Sequence, residues 1–173
     1  LYGLYQPDSG EILFDGKPTE INSSADAIAN GIGMVHQHFM LVPNFTILEN
    51  IMLGGEGGAL MEGEEATLAE IDRLGREYGM TVNPHAIVED LPVGIRQRVE
   101  VIKAIKGGAK ILILDEPTGV LTPGEAENLF AILKVLREKG ITIILITHKL
   151  QEIMAITDEV SIMRDGAIVG FRE

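Results

Sequence analysis

Two patterns of apolar residues alternate along the chain: short continuous runs and residues at helical spacing. Continuous apolar runs over residues 32–35, 111–114 and 141–146 have the length and composition of strands buried on both faces. Apolar residues at helical spacing occupy residues 62–78 and 123–139. The order strand, helix, strand, helix after residue 110 predicts a parallel sheet with right-handed crossovers, and therefore an α/β fold.

Turn and capping residues set the predicted boundaries of these elements. Asp15-Gly16 and Asp165-Gly166 each lie between strand-like runs and predict two short antiparallel hairpins. Residues 1–5 are interpreted as the last turn of a helix. Thr122, followed by Pro123 and Glu125, has the sequence of a helix capping box. Thr46 and Glu49 have the same spacing at the start of another predicted helix, and a further helix is predicted over residues 95–106.

The middle of the chain differs in character from its flanks. Residues 40–90 are predicted to be mostly helical, with a glycine-rich interruption at residues 54–58. The flanks, residues 1–39 and 91–173, are rich in strands. We therefore expect a helical subdomain at 40–90 inserted into an α/β core formed by the flanks.

Composition limits the classes of function. The chain has 173 residues and a net charge of −12, with a pI near 4.7. Nucleic-acid binding is not expected, because contact with phosphates needs clustered Lys and Arg. Cysteine is absent, which excludes disulfides and thiolate metal sites. The chain begins with Leu1 inside an apolar run and ends directly after a strand-like run, so we interpret it as a piece of a longer polypeptide, truncated at both ends.

Polar residues follow the buried strands where each one ends. Asp115 and Glu116 come directly after the apolar run 111–114, and Gln37 and His148 follow the neighbouring runs. The carboxyl ends of parallel strands are where open α/β sheets place their ligand chemistry. One carboxylate can hold a metal ion while the other faces a reacting water. An acidic turn after a core strand is the alternative that the two acids alone leave open.

Four elements in fixed order resemble the nucleotide-binding domain of ABC transporter ATPases. They are a Gln after a strand, a helix with QRV that begins near a Gly, the sequence ILILDEP, and a His after the next strand. The segments VHQHFMLVPNFTILENIMLG and LPVGIRQRVEV look like the ATPases of sugar and nucleoside importers, which carry two nucleotide-binding halves on one polypeptide. The resemblance covers essentially the whole chain and implies a P-loop NTPase (RecA-like) core from the first half.

The resemblance implies ATP and Mg²⁺ as ligands and assigns roles to four residues. Asp115 matches the aspartate that holds Mg²⁺ through water, and Glu116 matches the general base or water-orienting residue. His148 matches the histidine that contacts the γ-phosphate and braces Glu116. Gln37 matches the glutamine that reaches the metal and the attacking water, and whose loop senses the membrane partner.

Two further motifs of the family are present in altered form. The signature motif, which binds the ATP of the opposing half, is matched by Leu91, Pro92, Val93, Gly94 and Ile95. Pro92 replaces a serine and lacks an N–H, Val93 replaces a glycine and Ile95 a glutamine. Thr122 stands where the D-loop has aspartate, so it can cap the following helix but supplies no carboxylate across a dimer.

The phosphate-binding loop of the family, G-x-x-x-x-G-K-[ST], does not occur in the 173 residues. Its backbone amides and Lys cradle the phosphates. The chain is therefore expected to supply metal, base and sensor elements, and to bind ATP poorly when alone.

The resemblance also implies partners and a location. They are a second nucleotide-binding half and a membrane permease that docks on the segment beginning at Phe39 and ending at Ile51. An extracellular solute-binding protein takes part indirectly. The expected location is the cytoplasmic face of the inner membrane. Two alternatives remain: an ABC ATPase of DNA repair or translation, and a regulatory half that binds nucleotide without hydrolysing it.

Overall fold

The computed structural model describes residues 1–53 and 63–172, so the glycine-rich interruption predicted at 54–58 and the predicted start of the helix at residue 62 lie outside the described residues. The elements in chain order are β1 (Leu13–Phe14), β2 (Lys17–Pro18), α1 (Ser24–Ala29), β3 (Ile32–Val35), α2 (Ile47–Leu53), α3 (Glu64–Tyr78), a 3₁₀ turn (Val88–Asp90), α4 (Val93–Lys106), β4 (Ile111–Asp115), α5 (Pro123–Glu138), β5 (Thr142–Ile146), α6 (Leu150–Ile156), β6 (Val160–Arg164) and β7 (Ala167–Arg172).

A parallel sheet in the order β3-β4-β5 forms the centre of the described chain. Side chains of a strand alternate between the two faces of its sheet. Leu112 and Leu114 of β4 accordingly belong to a large core with α2 to α6, and Ile113 belongs to a smaller core with α1. The predicted parallel sheet with apolar residues on both faces is confirmed, and β4 is the central strand of the three, with Leu112, Ile113 and Leu114 buried.

Local sequence signals begin several helices as predicted. Thr122 caps α5 in a complete capping box with Glu125. At the start of α2, the Thr46 N–H donates to Glu49 Oε2 at 2.7 Å, and the Glu49 N–H donates to Thr46 Oγ1 at 3.2 Å. These contacts satisfy amides that the first turn of a helix leaves without partners.

The two hairpins form as predicted, β1 with β2 and β6 with β7, each antiparallel. Both are two-stranded sheets separate from the central one. Within residues 1–53 and 63–172, no helix combines the length and hydrophobicity that crossing a lipid bilayer requires.

Two predictions about local structure are wrong. Residues 1–5 contain bends and no helix, and Gly3 has φ 77°, a left-handed conformation that a right-handed helix does not contain. The run 141–146 is half-exposed rather than buried. It forms β5, which pairs with β4 along one side and is an outer strand of the described sheet, so periodicity identified the strand but not its burial.

Candidate functional site

The carboxyl ends of the three parallel strands bring the predicted site residues to one edge of the sheet. Val35 of β3 pairs with Leu114 of β4, and Asp115 pairs with Ile146 of β5. Asp115 is the last residue of β4, and Gln37 and His148 therefore follow strands that end at nearly the same level. The Glu116 N–H donates to the Ile146 carbonyl at 2.9 Å and extends the pairing by one more step.

Glu116 and His148 are in direct contact across this edge. The distance from His148 Nδ1 to Glu116 Oε1 is 2.9 Å. The histidine side chain is 71% exposed and the glutamate side chain 34% exposed, so the pair faces open space on one side. A carboxylate held by an imidazole and open to solvent has what a water-orienting group needs: a fixed direction and access to water.

The backbone of Glu116 has an unusual conformation, with φ 45°. Non-glycine residues adopt positive φ rarely, and such a conformation persists where the surroundings impose it. The bend comes directly after Asp115, and the two neighbouring acids differ in their surroundings: Glu116 contacts His148, whereas the Asp115 side chain has no hydrogen-bond partner among the described residues.

The Asp115 carboxylate makes no hydrogen bond or ion pair within the described parts of the chain, although the residue is only half-exposed. Nor do three or more His, Cys, Asp or Glu side chains of those parts gather as a metal site. Mg²⁺ keeps several of its waters and binds proteins through one or two carboxylates. A single unpaired hard-oxygen donor at the strand end therefore fits Mg²⁺ better than a metal that needs several protein ligands.

Gln37 is exposed and lies at the rim of a cleft of about 220 Å³, which is also lined by Arg96 of α4 and Val120 after β4. The structure thus brings Gln37 close to the start of the signature-like helix. It records no hydrogen bond between Gln37 and the Glu116–His148 pair among the described residues.

Two buried polar side chains fix the segment that follows Gln37. Asn50 of α2 is 1% exposed; its Oδ1 accepts from the Val42 N–H at 2.7 Å and its Nδ2 donates to the Val42 carbonyl at 3.0 Å. Glu100 of α4 is also buried, and its Oε1 accepts from the Met40 N–H at 2.6 Å. The backbone of the segment is therefore held from two helices.

Burial raises the pKa of the Glu100 carboxyl above its ordinary value of 4.5, against the lowering effects of Lys103, the Met40 N–H and His36; Tyr2 also faces the group. Because the pKa of this carboxyl is higher in the folded than in the unfolded state, its protonation stabilises the fold below about pH 4.5. This stabilisation is lost as the pH rises through the pKa of the folded state. Glu100→Gln keeps an acceptor for Met40 and removes this dependence. We expect the free energy of unfolding of the wild type to fall relative to the variant as pH rises from 4.5, by up to about 1.4 kcal/mol per pH unit.

Chemical denaturation at a series of pH values measures this difference. Glu127→Gln, at an exposed position on α5, is the control for loss of one negative charge and should follow the wild type. Parallel stability curves for the wild type and Glu100→Gln would contradict the assignment.

The signature-like residues differ from the prediction in one respect. Pro92 is the N-cap of α4, and the helix begins at Val93, whereas the sequence predicted a start at Ile95. The Gly94 N–H, which the resemblance assigns to the ATP of a partner half, donates to Glu125 Oε1 at 3.0 Å. A Cβ at Gly94 would lie 2.8 Å from that oxygen, so a side chain at this position would displace the flexible Glu125 carboxylate.

Glu125 therefore serves two helix starts. Its Oε2 accepts from the Thr122 N–H at 2.9 Å and its Oε1 from Gly94. Hydrogen bonds from Thr122 and Gly94 hold the pKa of the Glu125 carboxyl below its ordinary value. The predicted binding of a partner's nucleotide by residues 91–95 and Thr122 stays a prediction. A nucleotide bound there would meet the Glu125 carboxylate at the Gly94 N–H.

The sequence did not indicate that Glu100 and Asn50 hold the segment after Gln37, or that Glu125 of the capping box also contacts Gly94. The available signal was a polar residue within a stretch that otherwise buries apolar side chains. Glu100 lies between the buried residues Val99 and Val101, and a buried charge requires a partner. The identity of that partner, an amide 60 positions away, could not be found from the sequence.

Comparison with solved structures defines the class of fold. A nucleotide-free ATP-binding cassette from an ABC transporter superposes with a TM-score of 0.86 at 23% identity, covering 98% of this chain and 72% of that one. CbiO1 from Clostridium perfringens, part of an ABC transporter complex, superposes with a TM-score of 0.82 at 27% identity, covering 98% and 68%. The predicted P-loop NTPase α/β fold is confirmed, while the division at residues 40 and 90 stays a prediction.

Sequence comparison then identifies the family of the chain. The family model described as ABC transporter matches residues 1–119, and the chain belongs to this family. The nucleoside import ATP-binding protein NupA of Lactococcus lactis is 48% identical over 168 residues, covering 96% of this chain and 33% of that protein. The glucose import ATP-binding protein TsgD13 of Haloferax volcanii is 42% identical over 199 residues, covering 98% and 36%. The chain thus spans about a third of the length of these relatives.

Proposed function

We propose that this chain is part of the first nucleotide-binding half of an ATPase that powers import of a sugar or nucleoside. The observation that carries the proposal is the Glu116–His148 contact next to Asp115, whose carboxylate has no partner in the part of the chain that the structure describes. Family membership and relatives named as nucleoside and glucose import ATP-binding proteins support it.

The site residues divide the work of phosphoryl transfer to water. Asp115 would hold Mg²⁺, and the bound ion would neutralise charge on the phosphates. Glu116 accepts a hydrogen bond from the attacking water and orients it. His148 fixes the direction of Glu116 through Nδ1 and leaves its Nε2 for the γ-phosphate. Such reactions depend mainly on positioning and charge stabilisation, for which these groups are suited.

The segment from Phe39 to Ile51 is the proposed docking site of a membrane permease. Met40 is 64% exposed and Val42 is also exposed, while Glu100 and Asn50 hold the backbone beneath them. An apolar surface on a fixed backbone suits the binding of a short helix from a partner. In this proposal the protein lies at the cytoplasmic face of the inner membrane, with a second nucleotide-binding half completing the ATPase and an extracellular solute-binding protein selecting the solute.

Uptake by cells tests the proposal. Deletion of the gene should abolish ATP-dependent uptake of one solute from a panel of nucleosides, ribose and glucose. The wild-type gene should restore uptake and Asp115→Asn should restore less than about 5%, since loss of metal positioning costs orders of magnitude in phosphoryl transfer.

Asp8→Asn, at an exposed position near the amino end of the chain, is the control and should restore uptake fully. Full restoration by Asp115→Asn would favour a regulatory half. Unchanged uptake of every solute in the deleted strain would exclude the importer and favour an ABC ATPase of repair or translation.

A further inference from the structure

A buried carboxylate lies behind the Glu116–His148 pair. Glu152 of α6 is 5% exposed and is not among the residues that the family resemblance assigned. Its Oε1 accepts from the Thr118 hydroxyl, and its Oε2 accepts from the Thr147 hydroxyl at 2.7 Å. The Lys149 ammonium lies 3.4 Å from Oε1 and balances the charge.

The partners of Glu152 belong to the two loops that carry the pair. Thr118 is two residues after Glu116, and Thr147 directly precedes His148. Lys149 directly follows His148, and its Nζ donates to the Thr118 carbonyl at 3.1 Å and to Thr118 Oγ1 at 2.8 Å. The loops after β4 and β5 are thus joined twice, through one carboxylate and through one ammonium.

The backbone at Glu116 needs such support, because its φ of 45° is disfavoured for glutamate. The Gly119 N–H donates to the Glu116 carbonyl at 3.1 Å and closes a tight turn around Thr118. A shift of Thr118 would therefore change the direction of the Glu116 side chain, and a shift of Thr147 would move His148.

We propose that Glu152 is a positioning residue, which with Thr118, Thr147 and Lys149 holds Glu116 and His148 at hydrogen-bonding distance. The inference rests on the proposed function for its kinetic consequence, whereas the bracing itself is independent of catalysis. A carboxylate suits the role because both of its oxygens are hydrogen-bond acceptors, and the groups around it are two hydroxyl donors and an ammonium. Glutamine offers one oxygen and one NH₂ group, so one hydroxyl loses its acceptor.

The kinetic test uses the full gene product. Glu152→Gln should lower kcat for ATP hydrolysis about tenfold with KM within twofold of the wild type, because misplacement of the reacting groups acts on the chemical step. Thr118→Val removes the hydroxyl at equal volume and should behave like Glu152→Gln. Thr118→Ser keeps the hydroxyl and should retain most of kcat.

The variant that combines Thr118→Val with Glu152→Gln should be no slower than the slower single variant, since both remove the same contact. Glu138→Gln, at the exposed carboxyl end of α5, is the control and should match the wild type. A kcat within twofold of the wild type for Glu152→Gln, or equal losses for Thr118→Ser and Thr118→Val, would overturn the proposal.

A second readout separates this inference from the proposed function. Hydrogen exchange of the Glu116 and Gly119 amides, measured without nucleotide, should be at least about tenfold faster in Glu152→Gln, because the loop opens locally. If the wild type hydrolyses no ATP, the proposed function fails while this exchange still tests the bracing. Equal exchange rates in the wild type and Glu152→Gln would overturn the bracing even in an active ATPase.

Discussion

Replacing Glu116 by glutamine in the full gene product is expected to lower the rate of ATP hydrolysis by roughly 10²- to 10⁴-fold, the range for loss of a positioned general base. The glutamine side chain would retain the volume and one acceptor oxygen but not the charge or the basicity. ATP affinity should change little, because the role of Glu116 is toward water and not toward the nucleotide. The measurement is kcat and KM at saturating Mg-ATP beside the equilibrium Kd for ATP.

The structure also predicts what the substitution leaves intact. His148 Nδ1 can donate to an amide oxygen as it does to the carboxylate at 2.9 Å, so the two loops should stay together and thermal stability should change little. Glu138→Gln serves again as the control for loss of charge. An unchanged hydrolysis rate in Glu116→Gln would exclude the catalytic role and favour the regulatory half.

Local signals in the sequence were sufficient for most elements of the core. The apolar run 111–114 between Lys110 and Asp115 predicts β4 because a continuous apolar strand is stable only when both faces are covered, and it became the central strand. The capping box at Thr122 predicts the start of α5 within one residue. In these places local propensity and tertiary packing favour the same structure.

Long-range contacts could not be predicted from the sequence. The burial of β5 depends on its neighbours in the sheet, and the run 141–146 carries no information about them. The contact of Gly94 with Glu125 joins residues 31 positions apart, and that of Thr118 with Glu152 joins residues 34 positions apart. Neither pair has a local pattern, because the first depends on how α4 meets α5 and the second on how α6 packs against the loop after β4.

In the candidate site, too, local features were predictable from the sequence and long-range contacts were not. The acids at the end of β4 were identified from one strand and its boundary, and the resemblance assigned them roles. The contact between Glu116 and His148, and the brace beneath it, required the packing of α6 under both loops. Sequence therefore indicated the participants, and the structure supplied the geometry that makes a mechanism testable.

The second large effect concerns nucleotide binding. The 173 residues contain no G-x-x-x-x-G-K-[ST] motif. The roles proposed for Asp115, Glu116 and His148 concern the metal, the water and the γ-phosphate, and leave the α- and β-phosphates without a cradle. A longer polypeptide that includes such a loop upstream should bind Mg-ATP and gain stability by RT ln(1 + [L]/Kd), about 2.7 kcal/mol at 100 times Kd. The chain of 173 residues alone should gain almost nothing under the same conditions.

Thermal unfolding of the two polypeptides with and without Mg-ATP is the most direct test that these residues form the downstream part of an ATP site. The account predicts a rise in Tm for the longer polypeptide, reduced by Asp115→Asn and unaffected by Asp8→Asn, together with no rise for the shorter one. A rise of equal size in both would contradict it, because binding would then not depend on an upstream phosphate loop and the phosphates would be held by groups within the 173 residues to which no such role is assigned.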